Sequence, residues 1–314
     1  MRVARLPRNP IICPETLGYD TQRLGTNING PSLIRTPDWL PNALGRYYLY
    51  FAHHQGDHIR LAYADDLEGP WRIHSPGTLH LEGTGFSHHI ASPDVHVDNA
   101  NRRIRMYFHG LLPQEERDNQ LHKPLLHRDY PMPHSGQMTR VAVSDDGISF
   151  EVHPPVITSF YLRVFEHGGW HYGIAMPFVF YRSPNGLTDW EVGPMYFDYR
   201  IRHSAVHKQG DTLRVFFSRR EDCPERIMMT LIDLSRDWYD WQPSEPVTVL
   251  APEESWEGSD EPPEASRTGA VHERVHQLRD PAIFLENGRT YLLYSVAGES
   301  GIAIAELHED PPQK

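Results

Sequence analysis

The sequence predicts an all-β protein, a five-bladed β-propeller with a central funnel. One phrase recurs five times in altered form: a short apolar strand with a polar or Pro-containing opening, a Gly/Asn hairpin, and an aromatic-rich second strand. Repeats of this kind are typical of propeller blades. The 27 Pro and 23 Gly residues are spread along the chain, which favours many turns over a disordered tail. We therefore expect one domain over residues 1–314.

The five copies define the blades in chain order. They open near Asn29, Ser92, Tyr161, Arg202 and Arg279. In the first copy, an aromatic-rich strand at 46–52 is followed by an alternating strand at 59–64. The later copies place the corresponding strands at 103–108 and 139–144, 170–174 and 178–182, 212–217 and 226–231, and 290–294 and 302–307.

The fifth copy lacks room for a fourth strand. We expect the N-terminal segment 10–14 to pair with this blade and close the ring, because closure removes exposed strand edges. Two long insertions, 111–137 in blade two and 252–277 before blade five, interrupt the repeat. Loops of this length are usually functional or disordered.

Composition excludes several partners. The formal net charge of -12 would repel a phosphate backbone, so nucleic acid is not expected as a partner. The chain has neither a long apolar run nor the apolar core of a secretory signal, so we expect a soluble, cytoplasmic protein with no membrane partner. Cys13 and Cys223 lack the spacing of a metal or redox motif.

The blade openings resemble those of known enzymes. Ser92-Pro93-Asp94-Val95 is similar to the Ala-Pro-Asp-Val phrase of glycoside hydrolase family 43, and Arg279-Asp280-Pro281 is similar to the Arg-Asp-Pro phrase of family 32. The chain thus resembles the five-bladed glycosidases, broadly families 43, 32, 68, 117 and 130, over nearly its whole length. The resemblance implies a sugar-processing site in the funnel.

The same openings depart from family 43 at three positions. That family carries an Asp general base in blade one, a modulating Asp in blade three and a Glu general acid in blade four, where this chain has Asn29-Gly30, Tyr161 and His203. Family 117 offers a resemblance in which a His is the acid. We therefore expect Asp94, Asp280 and His203 to be catalytic, with either Asp as base or transition-state stabiliser and His203 as proton donor.

A structural role is the alternative for each of these three residues. An Asp at a strand start often accepts local N–H groups, and a His of an inner strand is often simply hydrogen-bonded.

Propeller geometry brings further loops to the funnel. The innermost strand runs away from the funnel, so strand two returns to it and the loop after strand two joins the site. The expected substrate-binding residues are Asn29, His53, His54, His89, His109, Tyr161, Arg163, Arg219, Glu221, Arg279 and Glu299. We expect a carbohydrate ligand, because aromatic rings stack on the C–H faces of sugars and hydroxyls need many donors and acceptors. The arginines would bind an anionic or hydroxyl-rich ligand.

Two alternatives to a glycosidase-like hydrolase remain. No cofactor is expected, but a divalent metal is possible because several His residues converge, which would allow a lyase or metal-assisted hydrolase acting on an acidic sugar. None of the residues expected to converge stands in HxH or HExxH spacing; these are His53, His54, His88, His89, His109 and His203. A non-catalytic sugar-binding propeller is the other alternative, because the usual blade-one Asp and blade-four Glu are missing.

Overall fold

A computed structural model describes residues 1–14, 27–129, 136–196, 198 and 200–309. Strands in these residues form five four-stranded antiparallel sheets, which are the five blades of a β-propeller. The predicted fold class is confirmed. None of the helices in the described ranges combines the length and the apolar character needed to cross a bilayer.

The blades follow the chain except at its N-terminus. Strand β1 (Arg2–Arg5) comes first and belongs to the last blade. Blade one contains β2 (Asn29–Arg35), β3 (Tyr47–Ala52), β4 (Arg60–Ala64) and β5 (Arg72–His74). Blade two contains β6 (Ser87–Asp98), β7 (Arg103–Leu111), β8 (Gln137–Ser144) and β9 (Glu151–Ser159). Blade three contains β10 (Arg163–His167), β11 (Trp170–Ala175), β12 (Val179–Ser183) and β13 (Glu191–Met195).

Blades four and five complete the ring. Blade four contains β14 (Ile201–Gln209), β15 (Thr212–Arg219), β16 (Ile227–Asp233) and β17 (Val247–Leu250). Blade five contains β18 (Arg279–Glu286), β19 (Arg289–Val296) and β20 (Gly301–His308), with β1 as its outer strand. The inner strands begin close to the predicted openings, but β6 starts at Ser87, because residues 87–91 already pair with the end of β7.

Ring closure by the N-terminus is confirmed, but a different segment supplies the strand. Arg2–Arg5 pairs with β20 along its whole length, from Arg2 opposite His308 to Arg5 opposite Ala305. Within the expected segment 10–14, Ile12 forms an isolated bridge with Ile302. Pro10 and Pro14 lack the N–H that a strand ladder needs, so this segment is a poor continuous strand.

The core lies between the blades. Strand β3 shows how the sequence builds it: Leu49 and Phe51 pack in a cluster with blade five, whereas Tyr48 and Tyr50 pack in a cluster with blade two. Because side chains alternate along a strand, one strand contributes to the hydrophobic clusters shared with both neighbouring blades. Similar clusters join blades two and three, three and four, and four and five.

The insertions carry little regular structure. The first contains the short helix α1 (Gln114–Asn119) and a 3-10 turn at Lys123–Leu125, and its residues 130–135 lie outside the described part. The second contains a 3-10 turn at Ser255–Glu257, and another such turn, Trp238–Asp240, lies in blade four.

Candidate functional site

Each blade opens on one residue in the left-handed backbone region. These residues are Gly30, Ser92, Tyr161, His203 and Asp280, with φ of 59°, 50°, 61°, 54° and 47°. In blades one, two, four and five the register of the inner strand shifts across this residue, as in a β-bulge. A non-glycine residue with positive φ is uncommon, and such strain concentrates at functional sites. The repeat therefore turns five equivalent positions toward the funnel.

The funnel floor holds a small cavity of about 80 Å³. Its lining is Asn29, His54, His89, Ala91, Ser92, His109, Gln137, Phe160, Tyr161, His203, Asp280 and Glu299. All five blades contribute to it. Eight of these residues were predicted from the sequence: Asn29, His54, His89, His109, Tyr161, His203, Asp280 and Glu299.

Asp280 is the buried carboxyl group at the blade-five opening, with 4% of the residue exposed. The Tyr161 hydroxyl donates to its Oδ1 at 2.7 Å, and the Ser295 hydroxyl donates to its Oδ2 at 3.3 Å. Burial, together with the nearby charge of Glu299, raises the pKa of Asp280 to about 6. Asp280 can therefore gain or lose a proton close to neutral pH.

Glu299 is the second carboxylate of the cavity, and it behaves in the opposite way. Asn27 and Asn29 donate to its Oε2 at 2.5 and 3.0 Å, and the Arg279 guanidinium donates to its Oε1 at 3.0 Å. His54 Nδ1 lies 3.4 Å from Oε1. Burial by itself raises the pKa of Glu299, but the His54 and Arg279 contacts and the Asn27 hydrogen bond outweigh it and lower the pKa to about 2. Glu299 is thus a fixed negative charge.

A row of rings forms one wall of the cavity. The ring centroids of His109 and Tyr161 are 6.1 Å apart, and those of Tyr161 and His203 are 5.2 Å apart. Burial lowers the pKa of His109 and of His203 well below the usual value, and for His203 the charges of Arg202 and Arg279 act in the same direction. Both imidazoles are therefore neutral at pH 7.

The two histidines also have free hydrogen-bonding capacity. Their Nδ1 atoms are buried and have no hydrogen-bond partner among the residues that the structure describes. His203 Nδ1 lies 3.6 Å from Asp280 Oδ1. A bound molecule with hydroxyl groups would satisfy such atoms.

The three arginines expected to bind ligand do not line the cavity. Arg163 is buried behind it, where its guanidinium lies 4.3 Å from the centroid of the Tyr161 ring and donates to the Ser92 carbonyl oxygen at 3.2 Å. Arg279 is fully buried and is held by Glu299 and Gln277. Arg219 pairs with Asp222 in the loop after β15. Each guanidinium therefore has a partner within the protein, and none of the three belongs to the cavity lining.

Asp94 also lies away from the cavity. Its Oδ2 accepts from the backbone N–H of Val164 in blade three at 2.8 Å and contacts His96 Nε2 at 2.8 Å. Burial opposes its ionisation, but His96 and Arg163 lower its pKa overall. Asp94 is two residues beyond the left-handed residue Ser92, so its side chain points between blades and joins two of them.

Two further expected ligand contacts lie outside the cavity lining. The ring of His53 packs near that of His272 with centroids 6.4 Å apart, and its Nδ1 accepts from the backbone N–H of Gln55. Glu221 is exposed, and its backbone N–H donates to Ser266.

Sequence reasoning missed Ala91, Ser92, Gln137 and Phe160. Ser92 and its neighbour Ala91 belong to the blade-two opening, and Phe160 directly precedes the blade-three opening. Gln137 starts β8 at the end of the first insertion, between strands two and three of its blade. Position relative to the blade openings could have found Ala91, Ser92 and Phe160, and the rule that the loop after strand two joins the site could have found Gln137.

A metal site is not apparent in the described ranges. Within them, no group of three or more His, Cys, Asp or Glu side chains is arranged to hold a metal ion.

Solved structures that superpose on this chain include several glycoside hydrolases. The α-L-arabinofuranosidase of Lactobacillus brevis superposes with a TM-score of 0.58 and 13% identity, over 96% of this chain and 93% of that one. The family 43 β-xylosidase/α-arabinofuranosidase CoXyl43, from a compost microbial metagenome and in complex with xylotriose, gives a TM-score of 0.59 and 12% identity over 99% and 97%. The α-L-arabinanase of Cellvibrio cellulosa in complex with arabinohexaose gives 0.55 and 11% over 90% and 93%. The predicted resemblance is confirmed for the fold.

The comparison of sequences gives a nearer relative. No protein-family model matches the chain. In an alignment 341 positions long, which covers 97% of this chain and 90% of the relative, the chain is 35% identical to "Uncharacterized protein R118" of Acanthamoeba polyphaga mimivirus. The chain therefore belongs to the family of mimivirus protein R118, and it has the five-bladed fold of the family 43 glycoside hydrolases.

Proposed function

We propose that this protein is a glycosidase-like enzyme that binds one neutral sugar residue in the funnel and uses Asp280 for proton transfer. The observation that carries the proposal is the pair of buried carboxyl groups, Asp280 with a pKa of about 6 and Glu299 with a pKa of about 2. Glycoside hydrolysis needs two such groups in different protonation states. Similar folds that bind xylotriose and arabinohexaose support a carbohydrate ligand.

The pKa directions favour a different division of roles from the one expected from sequence. Asp280 keeps its proton up to a pH of about 6, which is its pKa, and can donate it to the leaving oxygen of a sugar. Glu299 stays ionised and would stabilise positive charge that develops at the anomeric carbon. His203 is neutral, so it suits hydrogen bonding to a sugar hydroxyl better than the donation of a proton.

The cavity favours a neutral ligand of small size. Among the residues that the structure describes, its lining includes the ionised Glu299 but no arginine or lysine, so a carboxylate or phosphate on the sugar would be repelled. A volume of about 80 Å³ is well below that of pockets for larger ligands, which span roughly 300–1,000 Å³. Neutral imidazoles and the Asn29 and Gln137 amides supply the hydrogen bonds that hydroxyl groups need.

A non-catalytic sugar-binding protein is the second candidate. Gly30 stands at the blade-one opening, so that position offers no side chain that could activate water. Glu299 is also engaged by several donors, which weakens it as a base.

Aryl glycosides of neutral pentoses and hexoses, together with arabino- and xylo-oligosaccharides, provide the test. We expect sugar release by the wild type, falling as the pH rises above about 6 because Asp280 must be protonated. Asp280→Asn should reduce turnover at least about 100-fold. Glu115→Gln, a change at an exposed carboxylate on α1, is the matched control and should have no effect.

Two results would contradict the proposed enzyme. Binding of a sugar that stays intact after long incubation would establish the non-catalytic candidate. Neither binding nor cleavage of any neutral sugar, or full activity in Asp280→Asn, would overturn the proposed site.

A further inference from the structure

A chain of four buried charges lies beneath the funnel floor. Arg202 donates to Glu225 through Nε at 2.9 Å and through Nη2 in a second, bidentate contact. Arg279 Nε lies 3.2 Å from Glu225 Oε2, and Arg279 Nη1 is 3.0 Å from Glu299 Oε1. Glu225 therefore joins both arginines, and Arg279 links it to the cavity.

Glu225 reaches this position from outside the cavity. It lies in the loop between β15 and β16 of blade four, yet it contacts Arg279 at the start of blade five. The exposed fraction of the Glu225 side chain is 0%, so no water shields its charge. An ion pair buried this deeply is costly unless every charge is matched.

The two arginines each precede a residue that faces the cavity. Arg202 comes directly before His203, and Arg279 comes directly before Asp280. Both following residues have the strained left-handed backbone. Fixing the two guanidinium groups therefore fixes the backbone from which the two side chains project.

Charge balance around Asp280 depends on the same network. The groups that face Asp280 are Tyr161, His203, Glu299 and the two arginines, together with the Ser295 hydroxyl. Arg202 and Arg279 supply two positive charges, while Glu225 and Glu299 supply two negative charges. Since these cancel, an ionised Asp280 would be an unmatched buried charge.

We propose that Glu225 is a positioning residue for the funnel, holding Arg202 and Arg279 in place and balancing their charge near Asp280. This inference rests on the proposed function for its effect on turnover. Its effect on Asp280 itself does not require a substrate. Without Glu225, the two arginines would have one partner carboxylate fewer, and an ionised Asp280 would supply the missing negative charge.

The direct test is the titration of Asp280 in the substrate-free protein, followed by carbon-13 NMR of aspartate carboxyl groups and assigned with Asp280→Asn. In Glu225→Gln we expect the Asp280 midpoint to move by roughly one pH unit toward acid. Glu257→Gln is the matched control. Glu257 is also 0% exposed and is also held by an arginine, Arg5, but it does not contact the Arg202–Glu225–Arg279 network. Its loss should lower stability and leave the Asp280 midpoint unchanged.

A charge-balanced variant separates the effect of charge from damage to the fold. Arg202→Met combined with Glu225→Gln removes one charge of each sign, so the Asp280 midpoint should return to near the wild-type value. If Glu225→Gln alone does not fold, Arg202→Met alone is measured in its place. Its Asp280 midpoint should move in the opposite direction, toward alkaline pH. An unchanged midpoint in Glu225→Gln, or in Arg202→Met where that is measured instead, would overturn the inference.

Turnover supplies the second readout. If the proposed function holds, the pH above which kcat falls should move toward acid in Glu225→Gln, and Glu225→Asp should restore part of the shift. A shifted titration in a protein without any sugar turnover would support the role of Glu225 and contradict only the proposed function.

Discussion

The openings of blades two and five both contain an aspartate next to a proline, but in opposite order. Blade two reads Ser92-Pro93-Asp94, and blade five reads Asp280-Pro281-Ala282. The register of their inner strands makes Ser92 equivalent to Asp280 and Asp94 equivalent to Ala282, because each strand shifts register at the same step. An Asp before the proline therefore faces the funnel, and an Asp after it faces the next blade.

The position after the proline has a structural role that recurs in blade one. Ser32 is the equivalent of Asp94 there, and its hydroxyl accepts from the backbone N–H of Val95 in blade two at 2.9 Å. Asp94 accepts from the backbone N–H of Val164 in blade three at 2.8 Å. The same place in the repeat thus joins neighbouring blades, whichever acceptor the sequence provides.

The largest expected effect on stability belongs to Glu299, which lies in the loop between β19 and β20 of blade five. Glu299→Gln should lower the free energy of unfolding by about 3 kcal/mol at pH 7, because the folded protein lowers the pKa of Glu299 from 4.5 to about 2. A carboxyl group whose pKa is lowered by folding stabilises the fold at pH values above its unfolded-state pKa. This stabilisation is lost as the pH falls through the folded-state pKa. Denaturant unfolding should therefore show a constant deficit above about pH 5 that shrinks toward pH 2. A deficit that does not change with pH would contradict the role of the ionised group.

Asp280→Asn should have the opposite sign. The pKa of Asp280 is raised from 3.8 to about 6, so wild-type stability is lost as the pH rises between these values. The amide cannot ionise, and the variant should gain about 2 to 3 kcal/mol relative to the wild type by pH 7. Thermal unfolding at pH 4 and at pH 7 measures this gain. The difference in stability between the variant and the wild type should be larger at pH 7 than at pH 4. Equal differences at both pH values would contradict a raised pKa of Asp280 in the folded protein.

The smallest expected effect belongs to Asp94. Asp94→Ala leaves the backbone N–H of Val164 without its acceptor and should lower the free energy of unfolding by about 1 to 3 kcal/mol. Asp94→Ser, which copies Ser32, is the matched control and should recover part of the loss. Turnover on any substrate that the wild type cleaves should persist in both variants. Its loss in a folded Asp94→Ser protein would break the distinction between the two openings.

The sequence carried enough information to predict the fold and much of the site. Repeated openings and alternating strands predicted five blades, because each blade must bury both faces against its neighbours. Tyr161, His203 and Asp280 were found by comparing equivalent positions in the repeat. The place of Asp94 outside the cavity lining could not be predicted, because a short motif shows which residues are present but not on which side of a bulge they lie.

The amino-acid sequence by itself determined the propeller, the closure of its ring by the N-terminus and the residues at each opening, since these depend on periodicity and local backbone preference. Only the tertiary structure decided which segment closes the ring, which opening residues face the cavity and which carboxyl group holds a proton. Those properties depend on burial and on charges distant in the sequence: Glu225 in blade four and Arg279 in blade five meet at 3.2 Å. A buried charge responds to the groups around it in space, which no local pattern records.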